Sequence, residues 1–333
     1  MDSGLPDLLS NSRLTRVVTD VKNRLNVAST ETVTGVYQDI TKAVNGDVGS
    51  VHLLQKSLDD SKDYVRNLTL AEARADRTQA VLGTLGSEAS RIGASVLSSI
   101  GLEDQTALRT LSDDAYSTLV GMFSSLSSSL GGRSLFGGDE TNRPPLEDVS
   151  QVLNDVGAIV IAGPDEATIE AALDTYFNDP AGGFATTVYR GGENDAPGVE
   201  ISPGIRVNPY VKADAQPIKD MIRSFAVLAN AQSISTTSDA DREAVLENAA
   251  KGAVNAELQV IELRATLGVS QSRIAASKSE YEAEELVLSN LLSSKISRDP
   301  YEAAAELQAL ETQLESAYLV TARVGRLSLA NYL

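Results

Sequence analysis

The distribution of proline constrains the fold of this chain more than any other feature. Eight of the ten prolines lie between Pro144 and Pro217, and the segments 7–143, 218–299 and 301–333 contain none. Proline in a helix interior costs roughly 3 kcal/mol, because it removes a hydrogen bond and its ring clashes with the preceding turn. We therefore expect long helices in both flanks and short elements in the middle.

Apolar residues in both flanks recur at intervals of three and four residues, which places them on one face of a helix. Such narrow stripes are typical of helices that pair in coiled coils. The stripes comprise Leu14, Val17, Val21 and Leu25 near the start, and Leu307, Leu310, Leu314, Val324 and Leu327 near the end. Leu329 and Leu333 are also predicted to take part in assembly through the last helix. We expect the N- and C-terminal long helices to pair as an antiparallel coiled-coil bundle.

The proline-rich middle changes character along its length. Short amphipathic patterns predict helices, and β-branched and aromatic residues between glycine and proline turns predict strands. The predicted helices cover residues 146–161 and 165–177, and the predicted strands cover 184–189, 199–201 and 205–211. The fold class is expected to be mainly α with an α+β insertion, which contains two short helices and a β-hairpin region.

These patterns divide the chain into three parts. We expect residues 1–40 and 300–333 to form an inner pair of terminal helices, residues 41–143 and 218–299 a helical bundle, and residues 144–217 an outer α+β domain. A helix with one narrow apolar face is marginal in water until that face is buried. The terminal helices are therefore predicted to be prone to disorder in the free monomer, and to bury their stripes only against neighbouring subunits.

Glycines and short polar runs mark the expected helix breaks. Gly101 and the pair Gly131-Gly132 are predicted to end helices, and Asp299-Pro300 is predicted to mark a joint. Between these breaks, helices over 48–130 and 218–297 are expected to pack as an antiparallel bundle.

The composition excludes several kinds of site. The 333 residues contain no cysteine and one histidine, His52, which excludes disulfides, thiol catalysis and zinc-thiolate sites. With 46 acidic and 28 basic residues the formal net charge is -18, which disfavours nucleic acid and anionic membranes as partners. We also expect no membrane-spanning segment and no cleaved secretion signal, since the required apolar runs are missing.

The remaining polar clusters do not fit a catalytic or ligand-binding frame. Asp59 and Asp60, like Asp113 and Asp114, are adjacent on predicted helices, where their side chains point in different directions and do not converge on a pocket. The glycine-rich stretch 191–195 lacks the frames of phosphate and calcium loops. No catalytic residue, cofactor or metal site is predicted, and the chain is not expected to be an enzyme.

Two stretches carry a resemblance to a known family. Residues 310–318 read Leu-Glu-Thr-Gln-Leu-Glu-Ser-Ala-Tyr and residues 322–333 read Ala-Arg-Val-Gly-Arg-Leu-Ser-Leu-Ala-Asn-Tyr-Leu, which resembles the C-terminus of flagellins and hook-filament junction proteins. Phe136, Gly137 and Gly138 resemble the segment with which junction proteins leave the helical domain for the outer domain. The Arg-Ile-Ser/Thr opening common to junction proteins is missing. The chain is similar to the flagellin superfamily, and most of all to its hook-filament junction type.

The resemblance implies an extracellular structural subunit of the bacterial flagellum, exported unfolded through the flagellar type III channel. Its implied partners are copies of itself in a ring, an adjoining hook-associated protein and flagellin, and an export chaperone is a further candidate. A filament flagellin and, from a different class, a non-flagellar coiled-coil adhesion or binding protein remain open alternatives. An enzyme remains an alternative only if the insertion at 146–217 contains an unfamiliar site.

Overall fold

A computed structural model of the chain describes residues 5–44 and 46–330, with side chains for residues 12–44 and 46–324. Helices dominate these residues. They are α1 (Leu5–Thr34), α2 (Ile40–Ala43), α3 (Val48–Gly101), α4 (Gln105–Leu126), α5 (Val149–Ala162), α6 (Glu166–Asn178), α7 (Gln216–Ala229), α8 (Asp239–Ile296) and α9 (Pro300–Ala330). The strands of this part of the chain are β1 (Ser129–Leu130), β2 (Arg133–Ser134), β3 (Val199–Ser202) and β4 (Ile205–Val207).

The predicted fold class is confirmed. The long helices α1 and α9 pack against each other in antiparallel orientation. The middle of the chain contains the short helices α5 and α6, followed by the antiparallel hairpin of β3 and β4. The chain is mainly α with a small α+β insertion.

Proline and aspartate define the start of α9. Pro300 is its first residue, where the fixed φ of proline suits the first helical turn. The Asp299 carboxylate accepts hydrogen bonds from the backbone N–H groups of Tyr301 at 2.8 Å and Glu302 at 3.3 Å. The predicted joint at Asp299-Pro300 is therefore the capped start of the last helix.

Aspartates also cap the two short helices of the insertion. Asp148 accepts a hydrogen bond from the Ser150 N–H, and Asp165 accepts one from the Thr168 N–H, each at 2.8 Å. Hydrogen bonding to the ionised carboxylate lowers the pKa of both aspartates. The caps fix the starts of α5 and α6 within a few residues of the predicted positions.

One predicted strand is wrong. Residues 184–189 were expected to be extended, but Phe184–Val188 forms a π-helical turn, closed by a hydrogen bond from the Tyr189 N–H to the Phe184 carbonyl at 2.8 Å. Phe184 and Val188 are both buried, and their spacing of four residues suits a helical turn as well as a strand. The strand propensity of aromatic and β-branched residues was overridden by packing of this turn on the core.

The predicted strand at 205–211 is shorter than expected. β4 ends at Val207 and pairs with β3, with Val207 opposite Val199. Pro209 lies two residues after Val207 and has no backbone N–H with which to extend the ladder.

Two predicted helix boundaries are also wrong. The pair Gly131-Gly132 forms the turn between β1 and β2, and α4 already ends at Leu126. The helix expected over 218–297 is interrupted after Ala229, and α8 begins at Asp239. The second of these breaks is set by a hydrogen bond that a polar side chain makes to another part of the fold.

The break between α7 and α8 depends on Asn230. Its side-chain amide donates to the Leu153 carbonyl at 3.2 Å and to the Ala226 carbonyl at 2.9 Å. The first of these bonds connects Asn230 to α5. It holds Asn230 in place at the end of α7 and so favours the end of that helix over its extension into α8. Ser238 then starts α8, since its Oγ accepts a hydrogen bond from the Asp241 N–H at 3.0 Å.

Contacts divide the chain into two compact units. One comprises the described residues of 1–63 and 281–333, and the other comprises residues 64–280. The larger unit contains an extensive hydrophobic core to which the insertion contributes. Its largest fully buried side chains include Leu82, Ile92, Leu119, Met122, Phe136, Ile169, Leu173, Phe184, Ile218 and Phe225. The predicted three-part boundaries stay a prediction.

Within the larger unit, α3 and α8 approach closely at Gly93. A Cβ at this position would lie 2.8 Å from the Ala250 carbonyl oxygen and 2.9 Å from a methyl carbon of Val254. Ala250 and Ala253, on the facing side of α8, are fully buried. Small residues on both helices are therefore required for this helix pair.

We expect Gly93→Ala to lower the free energy of unfolding by about 1–3 kcal/mol, the usual cost of overpacking a core. Gly121→Ala is the matched control, because Gly121 is an exposed position within α4 with no atom near its would-be Cβ. That change should raise stability by roughly 0.5–1 kcal/mol through helix propensity. Urea denaturation followed by circular dichroism measures both, and equal shifts of the same sign would contradict the close approach.

Candidate functional site

The pairing of α1 with α9 forms a small apolar seam. Val21 and Ala28 from α1 and Leu310 from α9 are buried, each about 2% exposed. Partly buried side chains flank them, and the set is completed by Leu25, Leu307 and Leu314. We call these six residues the terminal seam. They bring together five of the residues predicted to lie on the two stripes.

The inward face of α1 differs from the predicted stripe at one position. Val17 is 50% exposed, whereas Val18 is partly buried and continues the spacing from Leu14 to Val21. Steps of four and three residues from Leu14 through Val18 to Val21 match a coiled-coil repeat better than the predicted set.

The last residues predicted to take part in assembly have different outcomes. Val324 is partly buried, on the same face of α9 as Leu310 and Leu314. The side chains of Leu327 and Leu329 lie outside the described residues, as does Leu333 altogether. The burial of Leu310 within the chain also corrects the expectation that only neighbouring subunits would cover it. The order of these helices in the free monomer stays a prediction.

A buried charge cluster lies beside the terminal seam. Arg298 is 7% exposed and its guanidinium pairs with the carboxylates of Glu31, which is 5% exposed, and Glu306, which is partly exposed. The guanidinium also lies over the Tyr37 ring, 5.4 Å from its centroid. We call Glu31, Arg298 and Glu306 the joint cluster.

The electrostatics of the joint cluster favour the charged arginine. Burial opposes the charge of Arg298, but the hydrogen bond to Glu306 and the charges of Glu31 and Glu306 outweigh burial and raise its pKa. The arginine is thus held between two carboxylates from different helices, and its side chain connects the end of α1 to the start of α9.

Backbone hydrogen bonds fix the same place. The Arg298 N–H donates to the Gly35 carbonyl at 2.9 Å, and the Tyr37 N–H donates to the Ile296 carbonyl at 3.0 Å. Val36 and Ser297 form an isolated antiparallel bridge between these bonds. The chain therefore leaves α1 and enters α9 along one short, extended ladder, which sets the register of the two helices.

Residues 136–138, predicted to mark the passage from the helical to the outer domain, lie where three loops meet. We call them the transition segment. Phe136 is fully buried, and its carbonyl accepts a hydrogen bond from the Ala213 N–H at 2.9 Å. The Gly137 carbonyl accepts one from the Gly192 N–H at 2.8 Å. Gly138 has a φ of +64°, and a Cβ there would lie 2.5 Å from the Asn194 carbonyl oxygen. Only glycine suits this position.

Lys212 and Tyr189 complete the transition segment. The Lys212 ammonium donates to the Glu193 carbonyl at 3.0 Å and pairs with Asp214 at 3.2 Å. The Tyr189 hydroxyl donates to the Gly192 carbonyl at 3.0 Å. Burial, with the nearby carboxylates of Asp214, Asp139 and Asp195, raises the pKa of Tyr189, so that it stays a neutral donor. These contacts hold the loop of 189–195 against residues 136–139.

The other polar residues considered from the sequence do not come together. His52, Asp59, Asp60, Asp113 and Asp114 are all exposed on helices. Within the described residues no group of three or more His, Cys, Asp or Glu side chains is placed to hold a metal ion. Among the described helices, none is both long and apolar enough to cross a membrane.

Sequence reasoning missed the joint cluster and Lys212. Glu31 and Arg298 are separated by 267 positions, so no local pattern connects them. One signal was present: Arg298 directly precedes the predicted joint Asp299-Pro300, and Glu31 lies four residues before Gly35, a residue type that often ends a helix. Charged residues next to two breaks that must meet in an antiparallel pair are candidates for such a contact.

Comparison with known protein families finds a match to the C-terminal part of the chain. The family described as the bacterial flagellin C-terminal helical region matches residues 251–333. The matched segment contains much of α8, the joint at Arg298 and α9. The resemblance to the flagellin superfamily is confirmed by this match. A comparison with curated protein sequences finds no match.

Two solved structures are similar to the chain. One, described as a flagellar hook-associated protein from Vibrio parahaemolyticus, has a TM-score of 0.52 at 10% identity and covers 74% of this chain and 95% of that chain. The other, the crystal structure of Bacillus cereus FlgL, has a TM-score of 0.45 at 14% identity and covers 74% of this chain and 97% of that chain. The first similarity establishes a shared fold.

We expect Arg298→Met to destabilise the pairing of α1 with α9 by about 3–5 kcal/mol, because it leaves the Glu31 carboxylate buried without its partner. The double variant Arg298→Met with Glu31→Met should recover much of this loss. Hydrogen exchange of amides in α1 and α9 measures the effect. Lys56→Met is the control, since the exposed pair of Lys56 with Asp60 should contribute nothing measurable. Unchanged exchange in Arg298→Met would show that the cluster does not hold the helices together.

For the transition segment, we expect Gly138→Ala to lower the thermal midpoint more than Gly204→Ala. Both glycines have positive φ, which costs an L-residue roughly 1–2 kcal/mol. Gly204 has open space where a Cβ would lie, whereas Gly138 faces the Asn194 carbonyl. Differential scanning calorimetry measures the thermal midpoints of both variants. Equal midpoints would mean that the loops around Gly138 can move apart without loss of stability.

Proposed function

We propose that this protein is a structural subunit of the bacterial flagellum, of the type that joins hook to filament. The observation that carries the proposal is the antiparallel pairing of α1 with α9, in which α9 belongs to the segment that matches the flagellin C-terminal region. The shared fold with a protein described as flagellar and hook-associated agrees with it. The proposed role is mechanical and needs no catalytic residue or cofactor.

In this role the paired helices form the part of the subunit that contacts other subunits. The terminal seam uses one face of each helix, and large apolar side chains remain exposed on the other faces. Their exposed fractions are 50% for Val17, 84% for Val33, 51% for Tyr318, 61% for Leu319 and 47% for Val320. Full burial of a completely exposed side chain of this size is favourable by roughly 1.5–3 kcal/mol, so covering those that are about half exposed would contribute about half of that. We propose a ring of copies, placed between an adjoining hook-associated protein and flagellin.

The location that follows from this role is extracellular. A chain without cysteine cannot be trapped by disulfides during export in an unfolded state, and a net charge of -18 keeps free subunits apart. Both properties support export through the flagellar channel and assembly at its far end. An export chaperone that covers the terminal helices is part of the proposal.

Electron microscopy of cells that lack the gene tests the proposed function. Hooks without filaments, together with flagellin released into the medium, are the expected result. Filaments of normal number and length would contradict a junction role. Long filaments formed by the purified protein alone would instead identify it as a filament flagellin.

Complementation of those cells with point variants tests the helix pair. We expect Leu310→Asp to abolish filament attachment, because it places a carboxylate in the terminal seam, with a cost of several kcal/mol. Leu319→Asp should leave the seam intact and still reduce attachment, if the outer face of α9 meets a neighbour. Ile161→Asp is the control, an exposed position on α5. Swimming assays and microscopy read out all three, and full motility of both α9 variants would refute the assembly role of this helix.

A further inference from the structure

We propose that a cleft along α3 in the larger unit binds a carboxylic acid through Arg74. The cleft has a volume of about 400 Å³, within the range of small-molecule sites. One wall is the face of α3 that carries Tyr64, Asn67 and Arg74. The other wall is formed by residues 197–200 and by Tyr210. This site is separate from the terminal helices on which the proposed function rests.

The charge of Arg74 is not balanced within the described part of the chain. Its Nη2 donates to the Ser134 carbonyl at 3.2 Å, and its buried Nε has no hydrogen-bond partner. None of the described carboxylates lies within 4.0 Å of this guanidinium, although acidic residues outnumber basic ones by 46 to 28. A partly buried cation without a counter-ion is costly, and a carboxylate is the group that guanidinium binds best, through two parallel hydrogen bonds.

The one acidic residue that lines the cleft is occupied elsewhere. The Glu200 carboxylate accepts hydrogen bonds from the Gly204 N–H at 3.2 Å and the Tyr64 hydroxyl at 3.5 Å. It also pairs with Arg206 at 3.4 Å. Glu200 therefore shapes the far side of the cleft and leaves Arg74 to an incoming group.

The rest of the cleft indicates the kind of acid. The Tyr210 ring lies 5.7 Å from the Arg74 guanidinium, and burial raises the pKa of this tyrosine, with Arg74 acting in the opposite direction. Leu70 is 53% exposed on the α3 wall, and Asn67 adds an exposed amide. A ligand that fits has a carboxylate for Arg74, an apolar part for Leu70 and Tyr210, and an amide for Asn67. N-acylated amino acids and acidic side chains within peptides share this chemistry.

The test uses the full-length protein labelled with ¹⁵N and followed by NMR during titration. The free-acid probe is N-acetyl-L-leucine, with N-acetyl-L-leucinamide as the neutral analogue. The peptide probe is acetyl-Ala-Glu-Ala-amide, with the Gln peptide as the neutral analogue. Arg74→Gln removes the charge, Arg74→Lys keeps the charge without the planar fork, and Arg77→Gln is the control, an exposed arginine on the same helix.

We expect saturable shifts of the residues that line the cleft with at least one acid, and none with its neutral analogue. Affinity should fall about tenfold or more in Arg74→Gln, less in Arg74→Lys, and not at all in Arg77→Gln. Tighter binding of the free acid would assign a small molecule, and tighter binding of the peptide would assign an acidic segment of another chain. No saturable shift with either acid, or equal binding by Arg74→Gln and wild type, would overturn the proposal. If Arg74→Gln does not fold, the comparison of acid with amide and the Arg74→Lys variant decide.

Discussion

The buried pairing of Arg298 with Glu31 is the interaction on which the terminal part of the structure depends. It lies where α1 ends and α9 begins, beside the short ladder of Val36 and Ser297. A buried ion pair adds little net stability, but either partner alone would be buried without compensation. The pair therefore penalises other registers of the two helices more than it stabilises the correct one. The terminal seam needs this selectivity, because its few apolar contacts alone would tolerate sliding by a heptad.

Much of the fold could be predicted from the sequence, because prolines and periodicity act locally. The confinement of prolines to the middle located the long helices, and Asp299 with Pro300 located the start of α9. Errors arose where contacts between residues far apart in the sequence determine the local structure. The π-helical turn at Phe184–Val188 has residues of high strand propensity, and the break at Asn230 depends on a hydrogen bond to α5. The partners of a buried charge cannot be found from spacing alone.

The residues of the candidate site were predicted only in part, because periodicity locates an apolar face but not its exact members. The apolar stripes identified Val21 and Leu310, which the structure brings together, but an error of one residue placed Val17 on the inner face in place of Val18. A helix turns 100° per residue, so such an error moves a side chain from the inner face of α1 to the edge of that face. The apolar residues that remain exposed on α1 and α9 are the ones that would contact neighbouring subunits in the proposed function. A subunit that turns one face inward and leaves another uncovered can be a stable monomer in solution and still gain by assembly.

A disulfide across the joint tests the pairing of α1 with α9 most directly. The chain has no cysteine of its own, and the partners of an antiparallel bridge lie about 5 Å apart between Cα atoms, within disulfide range. A variant with Val36→Cys and Ser297→Cys should oxidise within one chain and appear as monomer in non-reducing gels of isolated flagella. Cross-linked dimers, or free thiols in the assembled protein, would contradict this pairing, because they would show that α1 and α9 of one chain do not meet at this joint.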